Sequence, residues 1–453
     1  MMIFHKILDI YSQYYICIHC LGRMFSLLGT NTTNKKRGYS LLLSLTMENH
    51  RKYLSNNDEQ QAEALKYLKI LAENANFLPA QKVLENEGYK YSKNHAKQVC
   101  FLCHDIFSNT DKYLNNAKEK LEGYEFYNFL VGCSLDSQII NKEDKFKTEF
   151  NLLESEAFKS HFNRVIGKNL MTLLNKFPEF NNPDIVIIYS LGYDSFKIDI
   201  NPNSLFIYGR YNKMIRGIPQ THWFCKKCLG KGCEQCNFTG KQYKISIEEL
   251  VSPEFIKEAK ASDSKFHGAG REDIDVRMLG NGRPFILELR SPKVRSLNLS
   301  NIEKVINRIN KKKVKVSNLR YSNKKEVIKL KAESKDRKKV YKTVVQAQNK
   351  ISIEYFKDKL VDLKKVFENQ KIQQRTPIRV SHRRADKVRK RIIYKIEGKY
   401  IKSNLFEFTI KTQGGTYIKE LITGDDGRTS PSFSDVFEFP LTCKELDVLE
   451  VSA

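Results

Sequence analysis

Four Cys-x-x-Cys pairs constrain this chain more than any other feature, and they use eight of its ten cysteines. Two pairs are adjacent in CKKCLGKGCEQC: Cys225, Cys228, Cys233 and Cys236. Thiolates on two tight knuckles, with glycines to make the turns, suit one tetrahedral zinc. The other two pairs are far apart, Cys17 with Cys20 in YICIHCLGR and Cys100 with Cys103 in QVCFLCH. Together they make a second four-thiolate set, which would tie the N-terminal segment to a later element. His19 and His104 stand beside it as substitute ligands or as bystanders. A closed four-thiolate site has no open coordination position, so both zincs are expected to be structural. Cys133 and Cys443 read as small buried apolar residues.

At 453 residues the chain is long enough for two or more domains, since single cores stop growing at roughly 250–300 residues. Lys and Arg number 78 against 52 Asp and Glu, a net charge of +26. Such a surplus favours a polyanionic partner, because each neutralised phosphate releases condensed counterions. A genome rich in Lys codons would give part of the same excess. No segment approaches the ~18 consecutive apolar residues of a membrane helix, and no signal-peptide pattern opens the chain. The expectation is a cytoplasmic protein with reduced thiols and no membrane association.

Periodicity divides the rest. Residues 1–123 read as helical, with apolar helical spacing over Gln60–Leu71 and Pro79–Glu87. Residues 124–220 carry a helix over Glu154–Leu174, then three strand-like runs, DIVIIYSL, SFKIDI and SLFIYGRY. Residues 221–243 form the Cys-rich insert, and 244–453 a second α+β domain. In that domain Ser300 and Glu303 form a capping box. Strands are expected at KVKVSNLRYS, EVIKLKAES, KVYKTVVQAQ, RIIYKIEG and LFEFTIKT, with helices at Ile353–Phe367 and TYIKELI. The overall class is α+β.

The segment SKFHGAGREDIDVRMLGNGRPFILEL packs Gly, Arg and Asp ahead of an apolar strand. Glycines beside a carboxylate permit close approach of a ligand. By composition alone, a surface loop of satisfied ion pairs fits as well as a functional site. RRADKVRKR places six basic residues between 383 and 391, a phosphate-tracking run or a solvated charged face. Arg210, Lys213 and Arg216 form a further basic group. Neither G-x-G-x-x-G after a strand nor a P-loop is present, so a nucleotide-dependent RNA-modifying enzyme is disfavoured. A non-catalytic zinc-containing RNA-binding protein remains the other reading.

The Asp segment resembles the catalytic stretch of the archaeal and eukaryotic tRNA pseudouridine synthases that act on the TΨC arm. The likeness continues through ICIHCLGR, LFIYGRYNKMIRGIPQTHWFC, CNFTGKQY, RTPIRVSHRRADKVRKR, TQGGTYIKELITGDDGRTSPS and CKELDVLEV, across nearly the whole chain. In that group the nucleophilic Asp follows an Arg by two positions. The register here is Gly270-Arg271-Glu272-Asp273, which selects Asp273 over its neighbour Asp275. The group's basic-x-Tyr strand corresponds to KKVYKTVV with Tyr341, and its Gly-Thr-Tyr-Ile-basic motif to GGTYIKEL with Lys419. Arg is common at that last position; Lys keeps the charge and loses the bidentate fork.

The resemblance implies roles that the chemistry explains. Pseudouridine formation breaks the N1–C1′ bond, turns the uracil and rejoins it through C5. Nothing is added and nothing is oxidised, so no organic cofactor is needed. Asp273 is implied as nucleophile, Lys419 as its ion-pair partner, and Tyr341 as the ring that stacks on the flipped uracil and helps remove the C5 proton. Arg271 and Leu446 are implied as substrate contacts, Leu446 closing the pocket. The implied architecture is an N-terminal zinc-bound helical segment with a THUMP-type α/β domain. A catalytic domain on a mixed, mainly antiparallel sheet with flanking helices follows. The implied substrate is uridine 55, with uridine 54, in tRNA gripped at the TΨC arm and the acceptor end, so that shape selects it. A monomer with no obligate protein partner is expected.

Overall fold

A computed structural model describes residues 2–92, 98–333 and 337–452, with nothing taken from the side chains of Met2 and Arg383. The chain divides into two units, Met1–Asn203 and Ser204–Ala453. Among the described residues no helix is long and apolar enough to cross a membrane.

The first unit opens with helices, Met2–Gln13, Ile18–Met24, Asn34–Tyr53, Asp58–Glu73 and Leu78–Asn86. The second and third cross very closely. A Cβ on Gly22 would lie 1.8 Å from the Asn34 carbonyl oxygen, and one on Gly38 2.0 Å from that of Ile18. Only glycine allows such a crossing. A four-stranded sheet follows, ordered β2-β1-β3-β4, from β1 (Asn128–Leu135), β2 (Phe177–Pro178), β3 (Ile185–Leu191) and β4 (Phe196–Pro202). β1 and β3 are parallel, which needs a crossover connection. Helices Ser137–Glu149 and Phe158–Leu174 supply it. The second begins four residues later than its periodicity indicates, at Phe158, which is fully buried. One core joins the Cys-bearing segments to this sheet, including Cys20, Leu21, Cys103, Phe129 and Ile187.

The second unit is built on a ten-stranded mixed sheet, counted over the described residues. Its strands are β5 (Leu205–Lys213), β6 (Asp263–Gly268), β7 (Arg277–Arg290), β8 (Val314–Ser322), β9 (Lys338–Ala347), β10 (Gln370–Arg375), β11 (Val388–Lys402), β12 (Leu405–Gln413), β13 (Thr429–Ser430) and β14 (Leu441–Val451). The order is β13-β10-β11-β12-β9-β14-β7-β5-β8, with β6 also on β7. Among the described strands of this sheet, β14–β7 is the only parallel pairing.

Three expectations change. SLFIYGRY, read with residues 124–220, is β5, and it pairs with β7 and β8 in the second sheet. EVIKLKAES, read as a strand, is helical over its described part: the helix is Lys324–Ala332, and Ser334 lies outside the described residues. Asn323 accepts a hydrogen bond from the Glu326 amide, and Val327 and Leu330 bury at helical spacing. An N-cap with period-3 burial outweighs β propensity. The helix Leu299–Ile309 is capped by Asn298, which accepts from the Asn301 amide; Ser300 lies inside it. Asn298 is one residue ahead of the first turn, where a cap must sit.

Candidate active site

The Asp-bearing loop joins β6 to β7, and its shape is dictated by residues 213–220. Lys213 donates to the Ile274 carbonyl at 2.8 Å, Arg216 to that of Asp275 at 2.8 Å, and the Gly217 amide to that of Ile274 at 2.9 Å. Gln220 donates to the Gly270 carbonyl at 3.0 Å. Gly270 has φ +74, the left-handed region where a side chain is strained. The loop thus commits its carbonyls to these donors, which fixes where its carboxylates point.

Those donors correct a reading of the basic group. Arg210 and Lys213 are buried on β5. Arg210 donates to the carbonyls of Asn281, Gly282 and Val451. Arg216 also ties the Leu446 carbonyl at 2.7 Å and the Asp447 carboxylate at 2.8 Å. These cations are structural clamps. In the sequence they are simply a further basic group, because local sequence does not show which carbonyls fold back onto them.

The three carboxylates of the loop separate. Glu272 is buried against Arg283 at 2.8 Å, each side chain 1% exposed, and accepts from the Tyr211 hydroxyl at 2.9 Å. Breaking such a pair would leave a buried charge, at a cost of about 3–5 kcal/mol. Asp273 is one-third exposed and Asp275 two-thirds exposed. Asp273 lines a cavity of about 150 Å³ together with Tyr341, Arg379, Lys419 and Leu446; Asp275 is not part of its wall.

Tyr341 reaches this cavity from β9, where alternation buries Lys339, Tyr341, Thr343 and Val345 on one face. Burial pushes the Tyr341 phenol up to about 12, with the Asp273 and Glu272 charges adding and Arg283 opposing. It is therefore a neutral phenol near pH 7. Lys419 lies 2.6 Å from Asp275 and 4.0 Å from Asp273. Burial would raise the Asp275 carboxyl, but the Lys419 ammonium outweighs it and holds it below its ordinary value. The cation nearest Asp273 is Arg379, with Nη1 at 2.9 Å, itself braced by Glu420 at 2.6 Å. Arg271 lines the cavity, and so does Leu446, beside Val276 and Val448.

Arg379, Arg283 and Lys339 were not singled out by sequence. Arg379 stands in RTPIRVSHRR, where a basic run hides one residue with a different task. The available signal was arithmetic: two carboxylates, Asp273 and Asp275, need more than one cation. From the run 383–391, Arg384 donates to the Tyr417 hydroxyl and Arg389 to Thr376. The Arg383 side chain lies outside the described residues.

Lys339 is 6% exposed, and burial, with Arg283 nearby, pulls its amine down to about 7. An unfolded lysine titrates near ~10.4. Between those values the unfolded chain holds a proton that the folded chain lacks, so stability rises with pH above about 7. Urea midpoints should therefore climb more steeply from pH 6.5 to 8.5 in the wild type than in Lys339→Met. Equal slopes would show that Lys339 stays charged in the fold.

Both cysteine sets gather. Cys17, Cys20, Cys100 and Cys103 bring their sulfurs within 4.8 Å of one another, as do Cys225, Cys228, Cys233 and Cys236. Sulfur–sulfur distances run from 3.6 Å for Cys17–Cys103 to 3.9 Å for Cys225–Cys233 and Cys228–Cys236. A tetrahedron with ~2.3 Å metal–sulfur bonds has edges of about 3.8 Å. Amides of Cys17, Gly232 and Gly240 donate to these sulfurs, as thiolate ligands require. Both sets could hold zinc. His19 and His104 fall outside the first.

A mixed sheet preceded by an α/β unit is the architecture of a THUMP-bearing pseudouridine synthase, an isomerase, and the family matches agree with it. Residues 206–452 match the family model described as Pus10, C-terminal, and 113–190 that of the archaeal Pus10 THUMP domain. The chain belongs to the archaeal-type Pus10 family of tRNA pseudouridine synthases. It is 42% identical to the tRNA pseudouridine synthase Pus10 of Methanocaldococcus jannaschii, over 98% of this chain and 93% of that one. The Methanococcus voltae protein of the same name is 43% identical, over 81% and 71%. That of Methanothermobacter marburgensis is 37% identical, over 96% and 95%.

Proposed function

We propose that the chain isomerises uridine 55, and with it uridine 54, in the TΨC arm of tRNA. The observation that carries this is Asp273 on the wall of a cavity that also holds Tyr341, with Arg379 at 2.9 Å. A flipped uridine enters with its base against Tyr341, and Leu446 closes the pocket. Asp273 acts at C1′ as nucleophile while the N1–C1′ bond breaks. Arg379 keeps it ionised and aimed; Lys419, between both carboxylates, supplies the second positive charge. The uracil turns, C5 bonds to C1′, the C5 proton leaves and N1 gains one. Tyr341 takes part in that proton removal. Lys339 lines the same cavity, its amine pulled down by burial to about 7. Arg271 at the cavity mouth contacts the RNA.

Residues 1–123 are assigned as the zinc-bound helical segment, 124–220 as the THUMP-type acceptor-end contact, 221–243 as the zinc knuckle and 244–453 as the catalytic domain, with β5 shared into its sheet. Both Cys sets would bind structural zinc, leaving each thiolate set no role in the reaction. The chain is taken to act as a cytoplasmic monomer. tRNA carrying tritium at uracil C5 tests the chemistry: with no added cofactor, release of tritium in step with pseudouridine is expected. Pseudouridine formation that required an added nucleotide or reductant would contradict it.

A further inference from the structure

A second cavity, about 280 Å³, shares Arg271, Glu272, Asp273, Arg379 and Lys419 with the first. The reaction needs one base pocket and leaves this neighbour without an occupant. Its far side is formed by Pro219, Gln220, Thr221 and Trp223. Trp223 is the only tryptophan in the chain. It stands at the neck of the Cys-rich insert, where its carbonyl accepts from the Gln242 amide at 2.8 Å and the next residue, Phe224, bridges to Lys241. Tyr243 meets the indole edge-on at 5.7 Å, and the Arg271 guanidinium lies 5.8 Å from its centroid. The ring is therefore held from two sides while it lines open space.

We infer that Trp223 is a stacking platform for an unpaired nucleobase adjacent to the target uridine in the RNA chain. A base drawn out of a stack drags its neighbour, joined by one phosphate, towards the same side. Arg379 and Lys419 of the shared lining are taken up by Asp273, Glu420 and Asp275, so the cation offered to that phosphate is Arg271, which lines both cavities beside the indole. An indole face accepts any base, since every base has a π surface, and an adjacent guanidinium adds to the stacking. Asp273 and Asp275 on the floor disfavour an anion inside the cavity and leave a neutral base as the ligand that fits. This rests on the proposed uridine isomerisation.

Full-length tRNAs with an abasic ribose on the 5′ or the 3′ side of the target test it by single-turnover kinetics. Base–aromatic stacking lost to alanine is worth about ten- to a hundredfold. Trp223→Ala should slow intact tRNA by that factor, and one of the two abasic tRNAs should slow the wild type equally. The two losses should not multiply, and Trp223→Phe should recover most of the rate. Trp223→Ala within twofold of wild type, or losses that multiply for both abasic tRNAs, would overturn the inference. A readout without Trp223 variants uses the lone indole. Its emission in Asp273→Asn protein should be quenched by intact tRNA and not by the matching abasic tRNA; equal emission with and without tRNA would overturn it too. If the wild type makes no pseudouridine in intact tRNA, the proposed reaction fails instead, and the fluorescence still reports on the base site.

Discussion

Asp273→Asn should lower single-turnover pseudouridine formation by at least about four orders of magnitude, whereas Asp275→Asn should cost about tenfold. The side chains sit two residues apart on one loop, and their surroundings separate them. Asp273 faces the cavity that holds Tyr341 and meets Arg379 at 2.9 Å. Asp275 is exposed and pairs with Lys419 from outside that wall. Asn keeps the shape of Asp but cannot attack C1′, and it leaves Arg379 braced by Glu420 alone. Asp275→Asn releases Lys419, which then lies nearer to Asp273 as its free cation, so the residual loss reflects altered aim. The reverse ranking, with Asp275→Asn the inactive protein, would move the nucleophile two residues on.

The other large effect concerns the first cysteine set. Cys17, Cys20, Cys100 and Cys103 are buried in the core of the first unit, all at 6% exposure or less. Arg23, fully buried, pairs with Glu143 in the same core. Metal analysis should give about two zinc ions per chain, and Cys100→Ser should give about one. That substitution removes the link between the helix Ile18–Met24 and the Cys100–Cys103 turn. Several kcal/mol of stability should go with it, lowering the first calorimetric transition by roughly 10 °C or more. Cys236→Ser should also remove one zinc, yet shift the main transitions by only about 2 °C, because its knuckle is largely exposed. Equal shifts, or full zinc occupancy in Cys100→Ser, would contradict this placement.

Both results turn on residues that the sequence makes conspicuous. Cys-x-x-Cys spacing is local, and a metal that needs four sulfurs leaves few pairings to consider. Tyr341 stood out only through the resemblance, because the residues alone favour a strand tyrosine packed in the core, and β9 does bury that face. What stayed hidden was long-range. Arg379 reaches Asp273 from 106 positions away in numbering, and a run of basic residues masks it. Arg210, Lys213 and Arg216 carry charge that the fold turns inward onto carbonyls. β5 reads as the last strand of the first block because the sequence records adjacency, whereas its pairing with β7 and β8 is decided by partners 60 residues or more further on. In the 324–332 helix, one Asn at the cap decided between two periods that the apolar residues alone leave nearly level.

Mapping every pseudouridine made in an unmodified full-length tRNA, by wild type and by Asp273→Asn with no cofactor added, tests most directly whether the Asp273 cavity is the seat of isomerisation in the TΨC arm. The expected result is pseudouridine at position 55, accompanied by position 54, in the wild-type reaction and at neither in the variant. Pseudouridine confined to positions outside the TΨC arm, or equal yields at 55 from both proteins, would contradict it.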